Sequence, residues 1–244
     1  MNSFPKFNTV VETRFGKMIC NLHDRFIGKS LIKYGEFSHA ECSLFQELIL
    51  PGAVVIEAGA NVGAHTLFLA NQVGPEGIVY AFEPQRIVFQ TLCGNLALNS
   101  IPNVIAMQVA VGAEIGQIQV PQPDYLHVGN FGAVSLEGSV AGEVVPVATI
   151  DSLLLQRCDF IKADVEGMEE YVLRGVAVQC IGPVIYFKMQ NAKCKFAFLI
   201  LHFSFCIFRV QSASPTSPTT CDGTMKTLGF GFFVSTPFYL REFE

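Results

Sequence analysis

The stretch Ala53-Val54-Val55-Ile56-Glu57-Ala58-Gly59-Ala60-Asn61-Val62-Gly63 decides how the rest of the chain is read. Entered through Pro51-Gly52, the run from Ala53 to Glu57 is almost continuously apolar, the pattern of a strand buried on both faces. Two glycines mark a turn, and Val62 to Asn71 then takes up helical period. Working outward, Val73-Gly74-Pro75-Glu76-Gly77 breaks that helix, Ile78 to Phe82 forms a second strand, Gln85 to Asn99 a helix and Val104 to Val111 a third strand. The glycine-rich stretch Gly112 to Val147 reads as a β-hairpin with loops laid over the sheet. A short helix opens at Thr149-Ile150-Asp151, Phe160 to Ala163 is a fourth strand, Glu166 to Gly175 a helix closed by its glycine, and Pro183 to Phe187 a fifth strand. Thr227 to Phe233 and Pro237 to Phe243 fit a closing hairpin. This alternation predicts an α/β fold with a mostly parallel sheet and helices on both faces.

The 244 residues suit one such domain, residues 51–244, preceded by an N-terminal cap segment, residues 1–50. A net charge of -5 with only 15% charged residues provides no basic field, so nucleic acid is not an expected partner. Mean hydropathy is high at +0.40, and the greasiest run, Phe196 to Val210, is interrupted by His202 and Ser204. It falls short of the roughly 20 residues needed to span a bilayer. It reads as a buried strand, with membrane association as the alternative. Met1 to Glu12 alternates polar and apolar residues without the basic start and apolar run of a secretion signal, which points to the cytoplasm. Eight cysteines without a C-x-x-C pair, and five histidines without matching spacing, predict reduced thiols and no metal site. Neither composition nor pattern bears on oligomeric state.

The turn after the first strand carries two glycines in the order G-x-x-x-G, Gly59 and Gly63, and lacks the G-x-G-x-x-G of a pyrophosphate-binding turn. Glycine there lets the backbone pass close to a ligand at the carboxyl edge of the sheet. Glu57 offers an acceptor for an ammonium group, as on a cofactor with an amino-acid tail, whereas the two phosphates of a dinucleotide would be repelled. Glu83, 20 positions beyond Gly63 and at the end of the second strand, is placed to accept both hydroxyls of a ribose. The alternative for each acid is an exposed strand end or a cap partner, and for the glycines an ordinary turn.

These residues resemble the FkbM family of S-adenosylmethionine-dependent methyltransferases. The resemblance runs through Tyr34-Gly35-Glu36-Phe37-Ser38, Val55 to Thr66, Ala81-Phe82-Glu83-Pro84-Gln85-Arg86, Asn95-Leu96-Ala97-Leu98-Asn99, Asn130-Phe131-Gly132 and Phe160 to Glu169, covering roughly residues 34 to 187. It implies a class I, Rossmann-like methyltransferase fold with a seven-stranded sheet whose last strand is antiparallel. It also implies S-adenosyl-L-methionine as cofactor and methyl transfer to oxygen of a small molecule or carbohydrate. The cofactor positions carry over onto Glu57, Gly59, Ala60, Asn61, Gly63 and Glu83, with Gln85, Ala110 and Val111 toward the adenine.

Methyl transfer to a hydroxyl needs alignment and a base. Asp164 is the first candidate for base or orienting acceptor and Glu166 the second, with Lys162 on the same strand face as Asp164 to hold its charge or bind an anionic group. Asp164 reads alternatively as a helix N-cap, Glu166 as a first-turn helix acid and Lys162 as half of a structural ion pair. Two carboxylates without further ligands do not make a metal set. Acceptor specificity is expected in Asn21 to Glu47 and Pro121 to Glu143. After the fifth strand the family usually carries a Glu-Asn-Asp cluster and an amphipathic helix, whereas here Lys188-Met189-Gln190-Asn191 leads into a phenylalanine run and a Ser/Thr/Pro tract. Residues 188–223 are therefore atypical, and sequence foreign to the domain is one reading of them. A chain that binds the cofactor without catalysis is the alternative function.

Overall fold

The computed structural model describes residues 4–132, 134, 141–176, 184–191, 194–200 and 207–211. A seven-stranded sheet runs in the order β12-β11-β10-β9-β3-β4-β5, with β3 at Val54–Ala58, β4 at Ile78–Phe82, β5 at Val104–Met107, β9 at Phe160–Ala163, β10 at Val184–Asn191, β11 at Cys194–Ile200 and β12 at Ile207–Gln211. The five strands from β5 to β10 are mutually parallel, while β11 runs against β10 and β12 against β11. The first parallel strand, β3, lies between β4 and β9, so the chain order reverses there and leaves a crevice at the carboxyl ends of these strands, where open α/β sheets bind ligands.

Period-two alternation sorts the strand residues onto two faces. Val55, Val79 and Phe160 meet α2 (His39–Leu48) and α3 (Ala64–Val73) in one cluster, in which Phe45 packs edge-on to Phe160. Ala81 meets α4 (Arg86–Leu98), whose buried residues Val88, Thr91, Leu92, Asn95 and Leu96 recur at helical spacing. Ile56, Ala58, Phe82, Ile161 and Ala163 face the other way, onto Val172 of α5 (Glu169–Arg174). Helices thus cover both faces, and Glu57 and Lys162, falling in step with Val55 and Phe160, point into the α3 side.

The N-terminal residues form an antiparallel hairpin, β1 (Asn8–Thr13) and β2 (Gly16–Asn21), followed by α1 (Ile27–Tyr34). Two asparagines one helical turn apart, Asn95 on α4 and Asn99 at its C-cap, dock β2. Asn95 receives the Ile19 N–H at 2.6 Å and donates to the Ile19 carbonyl at 3.0 Å, and Asn99 does the same for Lys17 at 2.9 and 2.7 Å. Each amide side chain stands in for a strand residue, because four residues of helix and two of strand advance by nearly the same distance. Asn95 also donates to the Val62 carbonyl at 2.8 Å, linking the hairpin to the glycine turn.

Three predicted elements are corrected. The run Val104 to Val111 is not one strand: after Met107 the chain leaves the main sheet, and β6 (Ala110–Val111) pairs with β8 (Glu143–Ala148) beside β7 (Gly116–Val120) in a three-stranded sheet. The helix predicted from Glu166 begins at Glu169, because Glu166 at φ 50° and Gly167 at φ 102° form a left-handed turn. The predicted fifth strand runs on to Asn191 and folds back on β11, with Asn191 opposite Cys194. The predicted hairpin over Thr227 to Phe243 lies outside the described residues. Among the described residues no helix is long and apolar enough to cross a membrane.

Candidate active site

The loop after β3 is set by its neighbours. The N–H groups of Gly59 and Ala60 both donate to the Phe82 carbonyl, at 3.0 and 2.9 Å, turning the chain toward β4. Gly59 takes φ 81°, and a Cβ built on it would fall on the carbonyl oxygen of Asp164, so only glycine fits between the ends of β3 and β9. Asn61 takes φ 51°, a region its short amide tolerates, and donates its N–H to Glu83 Oε2 at 2.9 Å. Gly63 at φ 89° closes the turn and precedes α3.

Glu83 is 3% exposed, and its other oxygen accepts the Gln85 N–H at 2.8 Å. Burial pushes this carboxyl up to about 7 against the lowering effect of those two N–H groups. It lines a cleft at the carboxyl ends of the strands. Gly59, Gln85, Ala110, Val111, Asp164 and Glu166 share the lining. Ala60, Asn61 and Gly63 shape the loop behind Gly59 without lining the cleft themselves.

Glu57 and Lys162 are placed elsewhere. Both are buried and face each other across the β3–β9 ladder, with Lys162 Nζ 3.2 Å from Glu57 Oε1 and 3.3 Å from the Gly59 carbonyl oxygen. Glu57 Oε2 accepts the Thr66 hydroxyl at 2.6 Å. Burial works against the Lys162 ammonium, but the carboxylates of Glu57, Asp164 and Glu41 outweigh it and hold the group above the ordinary lysine value. Neither side chain lines the cleft.

Asp164 and Glu166 lie on a turn held by a residue to which the sequence pattern gave no role. Glu169 is 3% exposed, and its carboxylate accepts the N–H of Val165 at 3.3 Å and of Gly167 at 3.2 Å. The acid, at the first position of its own helix, reaches back to the loop before it. Asp164 does not cap α5, whose N-cap is Met168, and Glu166 is not in its first turn.

Further residues beyond those predicted line the cleft or hold Gln85 in it. Phe131 is 4% exposed, and its carbonyl accepts the Gln85 side-chain amide at 2.9 Å, while the Tyr125 hydroxyl donates to Gln85 Oε1 at 3.3 Å. Gly132 and Met168 also line it. The strap from Tyr125 to Gly132 is tied to the N-terminal segment: Asn21 donates to the Tyr125 carbonyl at 3.0 Å, and the Arg25 N–H to the Gly129 carbonyl at 2.9 Å. Its sequence signals were the triplet Asn130-Phe131-Gly132 and its place within Pro121 to Glu143, where acceptor specificity is expected.

The sequence model of the Methyltransferase FkbM domain matches residues 57–210 of this chain. Methyltransferase 1 of Beauveria bassiana is 28% identical over 144 residues, 50% of this chain and 57% of that protein. Methyltransferase sdnD of Sordaria araneosa is 28% identical over 155 residues, 50% of this chain and 60% of that protein. The chain thus spans less than two thirds of the length of either relative. A looser likeness is to the crystal structure of a SAM-dependent O-methyltransferase from Thermotoga maritima, 16% identical with a TM-score of 0.42 over 76% of this chain and 57% of that one. With more than half of its residues matched by the domain model, this chain belongs to the FkbM methyltransferase family.

Proposed function

We propose that the chain is an S-adenosyl-L-methionine-dependent methyltransferase that acts on a hydroxyl of a small molecule or sugar. The observation that carries this reading is the Glu83 carboxylate, buried at the cleft with one backbone N–H on each oxygen. A carboxylate has about four acceptor positions, so it retains one per oxygen for the two hydroxyls of a ribose. The glycine-only contact between Gly59 and Asp164 brings the ends of β3 and β9 together beside the cleft. The residues present therefore fit the cofactor.

When bound, the cofactor supplies a sulfonium methyl group open to in-line attack. Glu83 orients the ribose, and Gln85, Ala110 and Val111 bound the adenine side. Asp164, also in the lining, orients the acceptor hydroxyl and receives its proton at a carboxylate oxygen, with Glu166 as a second polar group there. In this reading residues 51–244 are the methyltransferase domain, and residues 1–50 are a cap segment that fixes the Tyr125 to Gly132 strap.

Incubation with methyl-labelled cofactor and a panel of hydroxyl compounds tests this. Labelled product from at least one acceptor is expected, with turnover lowered about 10²–10⁴-fold by Asp164→Asn, the range for losing a positioned base. A second reading, a cofactor-binding protein without catalysis, is favoured by one observation. Lys188 to Asn191, where the family usually has its acid and amide cluster, are ladder residues paired with β11. Cofactor binding without transfer to any acceptor supports that reading.

A further inference from the structure

The buried pair Glu57–Lys162 has no part in the chemistry above, although a buried charge is costly to keep and persists only where it is partnered. Its geometry is directed. Register sets Glu57 opposite Lys162 and Ala58 opposite Ala163, so one ammonium group bridges the carboxyl ends of β3 and β9. Its remaining hydrogen bond goes to the Gly59 carbonyl, the first residue of the loop that faces the cleft. From the β4 side the same loop is held by the Phe82 carbonyl and by Glu83. Lys162 is the matching anchor from the β9 side. Because Gly59 packs directly against the Asp164 carbonyl, any drift of the loop also moves Asp164.

We propose that Lys162 is a positioning residue: held by Glu57, its ammonium fixes the Gly59 carbonyl and so sets the path of residues 59–61 between Glu83 and Asp164. It neither transfers a proton nor touches the acceptor. The proposal rests on the reading of the cleft as an S-adenosyl-L-methionine site. It assigns the cost of a buried ion pair to placing the loop, where an apolar pair of similar size would fill the space but leave the Gly59 carbonyl unheld.

The test is calorimetric titration with S-adenosylhomocysteine, alongside thermal unfolding, of the wild type, Glu83→Ala, Lys162→Met, Lys162→Arg and the double variant Glu57→Leu/Lys162→Met. Lys162→Met is expected to bind about tenfold more weakly or worse, the factor for one hydrogen bond to a charged group, and Lys162→Arg to recover part of the loss. The double variant removes both charges, so it should regain thermal stability relative to Lys162→Met yet still bind about tenfold more weakly than wild type. A purely structural role predicts that stability and affinity recover together, and that result overturns the proposal. So does wild-type affinity in folded Lys162→Met. Should the single variant not fold, the double variant decides. If Glu83→Ala binds as the wild type does, or the wild type does not bind, the cofactor reading itself fails and takes this proposal with it.

Discussion

The Asn61 N–H donates to Glu83 Oε2 at 2.9 Å, so the left-handed residue of the turn after β3 and the acid at the end of β4 form one unit. The carboxylate fixes the loop, and the loop in turn fixes which lone pairs face the cleft.

The first prediction concerns pH. Burial raises the Glu83 carboxyl from 4.5 to about 7, worth roughly 3 kcal/mol at full extent. Because the folded value lies above the unfolded one, this stabilisation is complete below about pH 4.5 and is lost as pH rises through about 7. Wild type should therefore lose more of its unfolding midpoint between pH 4.5 and pH 8 than Glu83→Ala, which has no carboxyl to titrate at that position. Ribose hydroxyls donate to the carboxylate form, so affinity for S-adenosylhomocysteine should fall by up to about tenfold per pH unit below about 7. Unfolding scans and titrations across that range check both.

Gly59→Ala should be far worse than Gly52→Ala. Both glycines have φ near 80°, but a Cβ at Gly52 meets nothing within 4 Å, whereas one at Gly59 falls on the Asp164 carbonyl. The left-handed backbone alone costs about 1–2 kcal/mol, the expected effect at Gly52. Gly59→Ala should cost about 3 kcal/mol or more, a midpoint drop of roughly 6–12 °C for a chain of this size, together with cofactor binding.

Much of this was legible in the sequence where an element is bounded by its own punctuation. Ile78 to Phe82 sits between Gly77 and Pro84, and the strand was read with its observed limits. Gln108 and Val109 show no such break. The apolar run of Val104 to Val111, with Gln108 its one polar residue, continues through them, and nothing local records that the chain changes sheets there. Glu83 and Asp164 were recognisable as strand-end acids in the right order. The Glu57–Lys162 pair was not, because opposing residues of β3 and β9 meet only once the strand order is known, and the two positions are about a hundred residues apart. Glu166 was misplaced into a helix for want of any sign that it would adopt a positive φ.

Asn95→Ala removes the partners of the Ile19 N–H and carbonyl and of the Val62 carbonyl at a fully buried position. Each unsatisfied buried group costs about 1–3 kcal/mol, and relaxation shares the loss, so a destabilisation of about 3 kcal/mol is expected. Asn99→Ala, half-buried and nearer water, should cost about 1 kcal/mol. Denaturant unfolding of the two variants measures the ratio.

Glu169→Ala frees the N–H groups of Val165 and Gly167 and should cost about 2 kcal/mol, with faster hydrogen exchange at both amides. Glu169→Gln keeps an acceptor at that place and should be milder on both measures. Equal exchange in the two variants would show that the carboxylate does not hold the Asp164–Glu166 turn.

The central claim is that Glu83 anchors the cofactor, and titration calorimetry of wild type and Glu83→Ala with S-adenosylhomocysteine tests it most directly. The account predicts saturable binding at one site, weakened about tenfold or more by the substitution, near 1.4 kcal/mol or above. A folded wild-type protein that does not bind, or a Glu83→Ala variant that binds equally well, would contradict it.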